Sequence, residues 1–340
     1  MALPETMRAW TIEAFGGPEV FEETERPVPS LGDGEVLVDV AATSVNPIDY
    51  KLRSGVAEAF APELPAILHG DVSGTVVAVG SDVDGFSEGD AVYGCAGGFK
   101  GAPHGALADY MPADADLLAL KPSLLSFREA AALPLVTITA WEALVEKCAV
   151  GPGEHVLVHG ATGGVGHVGF QVARARGAEV SVTASSDEAL DIARELGADH
   201  GIRYDEEDVE AYCERLTDGA GFDVVFDTVG GDNTERCFEA TRLNGQMATI
   251  AAREEHDLLP AYLKGLSIHT VLMLLPMFYD TDRARHGKIL SDAALLVESG
   301  QLRPLVDDST FTFDQIGDAH AYAASGEQHG KVVVMHPDAA

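Results

Sequence analysis

The sequence predicts an α/β protein of two parts, and three observations carry that reading. The first third is made of short β-rich runs bounded by Gly, Pro and Asp. From about residue 126 apolar strands alternate with helical runs. Between one such strand and the next helix lies "HGATGGVGHVG" (159–169), a stretch almost without large side chains.

In the first part "GEVLVDVAATSV" (34–45), "GDVSGTVVAVG" (70–80) and "GDAVYG" (89–94) read as strands. Few helical patterns interrupt them before residue 126, so residues 1–125 are expected to form a compact β domain. In the second part "EHVLVHG" (154–160) reads as a buried strand, followed by the glycine loop and a helical run over 165–178. "EVSVTAS" (179–185), a helix from Ser186 to Leu196, "HGIRY" (200–204) and another helical stretch come next. "FDVVFDTVG" (222–230), "GQMATIA" (245–251) and "LSIHTVLML" (266–274) follow as strands. Strands apolar along their length and spaced by helices indicate a parallel sheet covered on both faces, here assigned to residues 126–276. After Pro276 an amphipathic helix (283–299) leads to a short strand, a helix and the last strand, "KVVVM". These are expected to return to the first domain, which residues 277–340 would complete.

Composition excludes several function classes. Against 55 acidic residues stand 22 basic ones, a net charge of -33 that repels nucleic acid and anionic membranes. Abundant Asp and Glu with few Lys is the composition of a protein kept soluble in concentrated salt, where repulsion is screened over a few Å. A salt-adapted source is expected. No apolar stretch approaches the ~20 residues of a membrane span. The start, "MALPETMRAW", lacks a basic segment followed by an apolar one, and Met7 offers an alternative start; a cytoplasmic location is expected. Cys95, Cys148, Cys213 and Cys237 form no C-x-x-C pair and read as free thiols.

The glycine loop sits where a dinucleotide loop belongs, after a strand and opening a helix. Gly160, Gly163 and Gly166 recur at every third position, and a strict G-x-G-x-x-G is met only through Gly164 or a one-residue shift. Such glycines let backbone approach a pyrophosphate, whose charge the helix N–H groups and dipole offset. Gly160, Ala161, Thr162, Gly163, Gly164, Val165 and Gly166 are therefore candidate cofactor contacts, and Gly169 allows tight helix–sheet packing. A NAD site ordinarily has an acidic residue ending the second strand, roughly 20 residues on. Here that place falls near Ala184, followed by Ser185 and Ser186, so a 2′-phosphate meets hydroxyls rather than a carboxylate. This favours NADPH, with NADH still open because Asp187 and Glu188 are close and no Arg or Lys is adjacent in sequence. Ser185 with Glu188 also fits a capping box.

Several motifs occur together in order: "NPIDYKLRSG" (46–55), "GDVSGTVVAVGSDVDGFSEGDAVYG" (70–94), "AALPLVTITAWEAL" (131–144), "GATGGVG" (160–166), "FDTVGG" (226–231) and "GKVVV" (330–334). On these the chain resembles the zinc-independent quinone oxidoreductase (zeta-crystallin-like) branch of the medium-chain dehydrogenases/reductases. The resemblance spans essentially the whole chain. It implies a GroES-like β domain plus a Rossmann doubly wound parallel-sheet domain, an active cleft between them, and a homodimer paired through the "LSIHTVLML" strand. It also implies that no metal is used. Where the zinc branch has Cys, His and Cys ligands, this chain has Asn46, Gly70 and Leu135, and the four-cysteine structural lobe is absent. His69, Cys95 and His104 match no ligand spacing of such a site, and His69 reads as a structural residue of the "LHGD" turn.

Without zinc, hydride transfer suits an activated acceptor, a quinone or an α,β-unsaturated ketone or aldehyde, which spreads charge onto a distant oxygen. Small uncharged acceptors are the expected substrates. By the resemblance, Asn46, Tyr50 and Lys51 are the candidate catalytic residues, although Tyr50 stands one position earlier than in the family's D-x-Y form. Asp49 and Arg53 read as a bracing pair. Thr139, Tyr204, Asp227, Val229, Ile250, Ala251, Leu272, Met273 and Lys331, with Ser185 and Ser186, complete the implied cofactor contacts. Two other readings stay open on the residues: a zinc-type alcohol dehydrogenase with displaced ligands, and a non-catalytic NADPH-binding, crystallin-like protein.

Overall fold

The computed structural model describes residues 3–339. In chain order the elements begin with β1 (Thr6–Ile12), β2 (Phe21–Pro27), β3 (Glu35–Ser44), α1 (Pro47–Arg53), β4 (Ala66–Ile67), β5 (Asp71–Val79), β6 (Ala91–Cys95), β7 (Tyr110–Asp114) and β8 (Leu118–Leu120). Two short helices follow, α2 (Phe127–Ala131) and α3 (Pro134–Trp141). Then come β9 (His155–His159), α4 (Gly164–Ala175), β10 (Glu179–Ala184), α5 (Asp187–Glu195), β11 (His200–Arg203), α6 (Val209–Thr217) and β12 (Phe222–Asp227). They continue with α7 (Asn233–Ala240), β13 (Thr241–Thr249), α8 (Leu259–Lys264) and β14 (Ser267–Thr270). The chain closes with α9 (Leu275–Tyr279), α10 (Ala284–Glu298), β15 (Phe311–Thr312), α11 (Ile316–Ser325) and β16 (Val333–Met335).

These elements form two units. One takes the chain up to Leu135, Leu274–Glu298 and the residues from Pro304 on; the other takes Val136–Met273 with Ser299–Arg303. The helical texture that begins at residue 126 therefore does not mark the boundary. Residues 126–135 stay with the β unit because they are bonded to it. Ser73 Oγ donates to the Phe127 carbonyl at 2.6 Å, Arg128 Nη2 donates to the carbonyl of Asp307 at 2.7 Å, and Leu135 N donates to Asp71 Oδ1 at 2.8 Å.

The β unit holds a seven-stranded sheet, ordered β15-β16-β3-β5-β6-β8 with β7 on β3, and a three-stranded sheet β2-β1-β4. Strand β3 is its spine: Val36, Leu37, Val38 and Val40 are almost fully buried. The C-terminal strand does return here. Val333 pairs with Ser44 and Met335 with Ala42 in antiparallel register, which brings Lys331 beside Asn46.

The second unit is a six-stranded sheet in the order β11-β10-β9-β12-β13-β14, parallel throughout. That is the order of a doubly wound Rossmann sheet. Val156, Leu157 and Val158 in β9 and Val224, Val225 and Phe226 in β12 are all 0% exposed, as strands covered on both faces must be. A Cβ on Gly169 would stand 3.1 Å from the Phe226 ring, so this glycine sets how closely α4 lies on the sheet. The apolar run 266–274 is a strand only to Thr270. Val271, Met273 and Leu274 are buried beyond its end without pairing as strand, so their apolarity records burial rather than strand. No described helix is long and apolar enough to cross a membrane.

Candidate functional site

The parallel sheet gathers most of the expected cofactor residues on one edge. Strands β9 to β14 deliver, at their C-terminal ends, the loop 160–166, then Ser185, Tyr204, Val229, Ile250 with Ala251, and Leu272 with Met273. The strand order reverses between β9 and β12, and the crevice outside such a reversal is where an α/β sheet binds ligands. Gly160 takes a positive φ of 82° there, and Thr228 Oγ1, from the loop after β12, donates to the His159 carbonyl at 2.6 Å.

The loop is built for close backbone approach. Gly163 N donates to the Gly160 carbonyl at 3.0 Å, and Ala161 N to the Thr183 carbonyl at 2.9 Å. Gly163 is the N-cap of α4, and no side chain caps that helix, whereas Ser186 caps α5 and Asp208 caps α6. The first N–H groups of α4 thus open from a turn of small residues in which Gly163 is exposed and Gly160, Thr162 and Gly164 are half-buried, a surface that fits a pyrophosphate. The buried imidazole of His159 next to the loop is held neutral, its pKa pushed down by burial to about 4.

At the C-terminal end of β10 the structure separates the two serines. Ser186, not Ser185, is the helix cap, its Oγ accepting from Ala189 N at 3.1 Å. Ser185 is exposed. No Arg or Lys is adjacent to Ala184 in sequence, yet parallel pairing sets Arg203 opposite it at the ends of β11 and β10. Arg203 is half-buried and bonds Asp205 (Nη2–Oδ2 2.8 Å), Asp187 (Nη1–Oδ1 3.1 Å) and Glu206 (3.0 Å). Only register across a strand pair reveals it. Tyr204 is 47% exposed beside it.

Two cofactor candidates are placed differently from expectation. The carboxylate of Asp227 is fully buried and spent on its own turn: Oδ1 accepts from Val229 N (3.1 Å), Gly230 N (2.9 Å) and Asn233 Nδ2 (2.9 Å), and Oδ2 from Thr234 Oγ1 (2.9 Å). It shapes the loop, on which Val229 is 58% exposed. Lys331 belongs to the other unit and is 3% exposed, bonded inside that unit rather than on a surface. Thr139 is buried in α3.

The β unit carries the second cluster, around Asn46. Its side chain is 1% exposed, with Nδ2 donating to Asp71 Oδ2 at 2.8 Å and Oδ1 accepting from Lys331 Nζ. Asn46, a candidate catalytic residue at the replaced zinc-ligand position, has both ends of its amide engaged and is the hub of a buried network. Lys331 Nζ also donates to the Val45 carbonyl (2.8 Å) and lies 3.8 Å from Asp71 Oδ2. Asp71 further accepts from Ser44 Oγ at 2.7 Å. Asp49 Oδ2 accepts from Asn46 N at 2.7 Å and so caps α1, which opens on Pro47. Asp49 does not pair with Arg53, whose Nε and Nη1 are bonded to nothing among the described residues. Burial pushes the Asp49 carboxyl up, to about 7, with the Asp71 charge adding to it; burial likewise lowers the Lys331 ammonium. Tyr50 and Lys51 are half-buried on α1.

The donor set here does not suit a catalytic zinc. Asn46, Gly70 and Leu135 offer an amide already bonded, no side chain and a hydrocarbon, and the cation beside Asn46 is the Lys331 ammonium. His69 lies between Thr43 Oγ1 (3.1 Å) and His320 Nε2 (2.7 Å), and Cys95 is fully buried.

Comparison with known proteins agrees with this geometry. Residues 32–123 match the alcohol dehydrogenase GroES-like domain family and residues 196–334 the zinc-binding dehydrogenase family. An Arabidopsis thaliana protein named NADPH-dependent alkenal/one oxidoreductase is 33% identical, over 98% of this chain and 80% of that protein. The crystal structure of an alcohol dehydrogenase superfamily protein from Novosphingobium aromaticivorans aligns with TM-score 0.92 at 38% identity, over 97% of this chain and 99% of that one. The quinone oxidoreductase of Coxiella burnetii aligns with TM-score 0.80 at 30% identity, over 97% and 99%. With the glycine cradle present and the zinc ligands replaced, the chain belongs to the zinc-independent, quinone-oxidoreductase type of the medium-chain dehydrogenase/reductase superfamily.

Proposed function

We propose that this protein is an NADPH-dependent reductase of quinones or α,β-unsaturated carbonyls that uses no catalytic metal. The observation that carries the reading is the Asn46–Asp71–Lys331 network standing where the metal-dependent branch needs ligands. A bound nicotinamide would supply the hydride. The α4 N-terminus binds the pyrophosphate, and Val229, Ile250, Ala251, Leu272 and Met273 border the cofactor and exclude water. Asn46, fixed by Asp71 and Lys331, keeps the start of α1 in place, and Tyr50 and Lys51 on that helix donate to the acceptor's oxygen. A conjugated acceptor needs no more, because its charge develops on an oxygen that hydrogen bonds suffice to hold.

An NADPH-oxidation panel in molar salt tests this, with 1,4-benzoquinones, enones and alkenals as acceptors. Turnover with at least one class, unchanged by EDTA, is expected. Absence of turnover with every acceptor overturns the reductase, and EDTA sensitivity returns the zinc alcohol dehydrogenase reading.

For the cofactor, exposed Ser185 with Arg203 opposite Ala184, and no carboxylate ending β10, support a 2′-phosphate site and hence NADPH. Replacing Arg203 with alanine is expected to raise KM for NADPH by about tenfold, the scale of one charge-assisted contact, while leaving KM for NADH near its original value. An equal rise for both would show that Arg203 only braces the strand ends against Asp187, Asp205 and Glu206.

Strand β14 is the edge of its sheet, and Leu258, Leu259, Tyr262 and Leu263 beside it are 55–80% exposed. This supports a homodimer paired through that edge. Light scattering at working salt should give the mass of two chains, and a one-chain mass would count against it. The buried free thiols support a cytoplasmic location.

A further inference from the structure

The strands that carry the cofactor loop at their C-terminal ends carry a second group of ligating side chains at their beginnings. His155 opens β9, Glu179 opens β10 and His200 opens β11, three neighbouring strands in the sheet. One ligand atom from each lies within 4.8 Å of the others. His200 Nε2 is 2.7 Å from Glu179 Oε1, and the rings of His155 and His200 have centroids 5.7 Å apart. We propose that His155, Glu179 and His200 form a binding site for one divalent transition-metal ion, of the zinc, cobalt or nickel class, that ties the starts of β9, β10 and β11 together.

Geometry and donor chemistry both favour it. Two imidazoles and one carboxylate are ligands for a borderline ion, and water can take the remaining position. At ligand distances of roughly 2.0–2.1 Å, tetrahedral donors stand about 3.3 Å apart, so small side-chain rotations bring the set to bonding positions. The set is partly preorganised: Ser181 Oγ holds His155 Nε2 at 2.8 Å, and Asp223 Oδ2 accepts the His155 backbone N–H at 2.8 Å. Such outer partners fix a ligating ring. Solvent has access through a surface depression lined by Arg174, Gly177, Glu179, Asp199 and His200. Asp199 and Asp223 add negative charge around it, set against Arg174, 4.0 Å from Asp199, and Arg242 on Asp223.

The site is not the catalytic one. Along β9 it lies a strand's length, on the order of 15 Å, from the loop that opens at Gly160. Its effect is on stability, because an ion bound only by the folded strands shifts the folding equilibrium towards them.

The test uses metal-free full-length protein in molar NaCl, which screens loose binding of cations by the acidic surface. Calorimetric titration with ZnCl2 should show one saturable site per chain, with a rise of several degrees in melting temperature that MgCl2 does not produce. Titration with CoCl2 should give the visible absorption of a low-coordinate cobalt ion. The variants H155Q, H200Q and E179Q should each weaken zinc binding at least tenfold, and H155Q with H200Q together should abolish the cobalt band. EDTA should remove the melting shift and leave turnover unchanged. Zinc binding that is non-saturable, equal to magnesium, or retained in the folded H155Q and H200Q proteins overturns the proposal. Should the histidine variants not fold, E179Q alone decides, because Glu179 is exposed and retained binding there would equally overturn it.

Discussion

Substituting Gly166 by alanine is expected to raise the dissociation constant for NADPH by on the order of 100-fold, about 2.8 kcal/mol. The reason is a backbone contact, not a side-chain one. A Cβ on Gly166 would stand 2.0 Å from the Gly160 carbonyl oxygen and 2.9 Å from its carbon. Neither atom is the far end of a flexible chain, so the loop must open. Gly160 sits at φ 82°, where few other residues are comfortable, and its carbonyl also accepts from Gly163 N at 3.0 Å. Opening the turn moves the first N–H groups of α4 away from a shared target. A displacement near 1 Å is enough to cost two decades in a positioned site. Gly163 supplies the control. Its Cβ would meet only the Gly160 oxygen, at 3.3 Å, and its φ of -73° suits any residue. Gly163→Ala should therefore fold with nearly unchanged melting temperature, and any loss of NADPH affinity it shows reports crowding by the cofactor itself. Fluorescence titration of both variants, with melting curves, checks the pair. Equal, undiminished affinity in both would remove the loop from the binding site.

What was legible in the chain, and what was not, follows from the range of the signal. The strand–loop–helix around Gly160 is written in a continuous apolar run, glycines and a helical period, all local. Lys331 and Asn46 meet across 285 positions, and nothing in either segment announces the other. Asn46 read alone is only the residue standing where the zinc branch has a ligand; read with Asp71 and Lys331 it is a strut. Arg203 was hidden for a similar reason, since it neighbours Ala184 only through parallel register. The tail of "LSIHTVLML" misled in the other direction: an apolar run shows burial, and beyond Thr270 that burial is met by loop. The π-helical turn over Glu142–Lys147 has no period of its own to betray it.

Replacing Lys331 with methionine should produce the largest loss of stability of any single change in the β unit, about 3–5 kcal/mol. The volume is nearly kept, so the cost is electrostatic. Asp71 and Asp49 would remain buried without their ammonium partner, and the Val45 carbonyl and Asn46 Oδ1 would lose a donor. The pH dependence has a definite sign. Asp49 has a folded pKa of about 7, above the unfolded carboxylate value near 3.9, so its contribution is largest at low pH and is lost as pH rises through about 7. Lys331 holds that folded pKa down; without the ammonium it rises further. The variant's deficit should therefore widen from pH 6 to pH 9, as the parent ionises Asp49 beside Lys331 and the variant cannot. NADPH affinity, which depends on the other unit, should change little, while turnover falls because α1 loses its anchor at Asn46. Melting curves across that pH range, with cofactor titration and kcat measured alongside, test each part. A deficit independent of pH would mean that Lys331 acts by packing alone and that the charge of the network is immaterial.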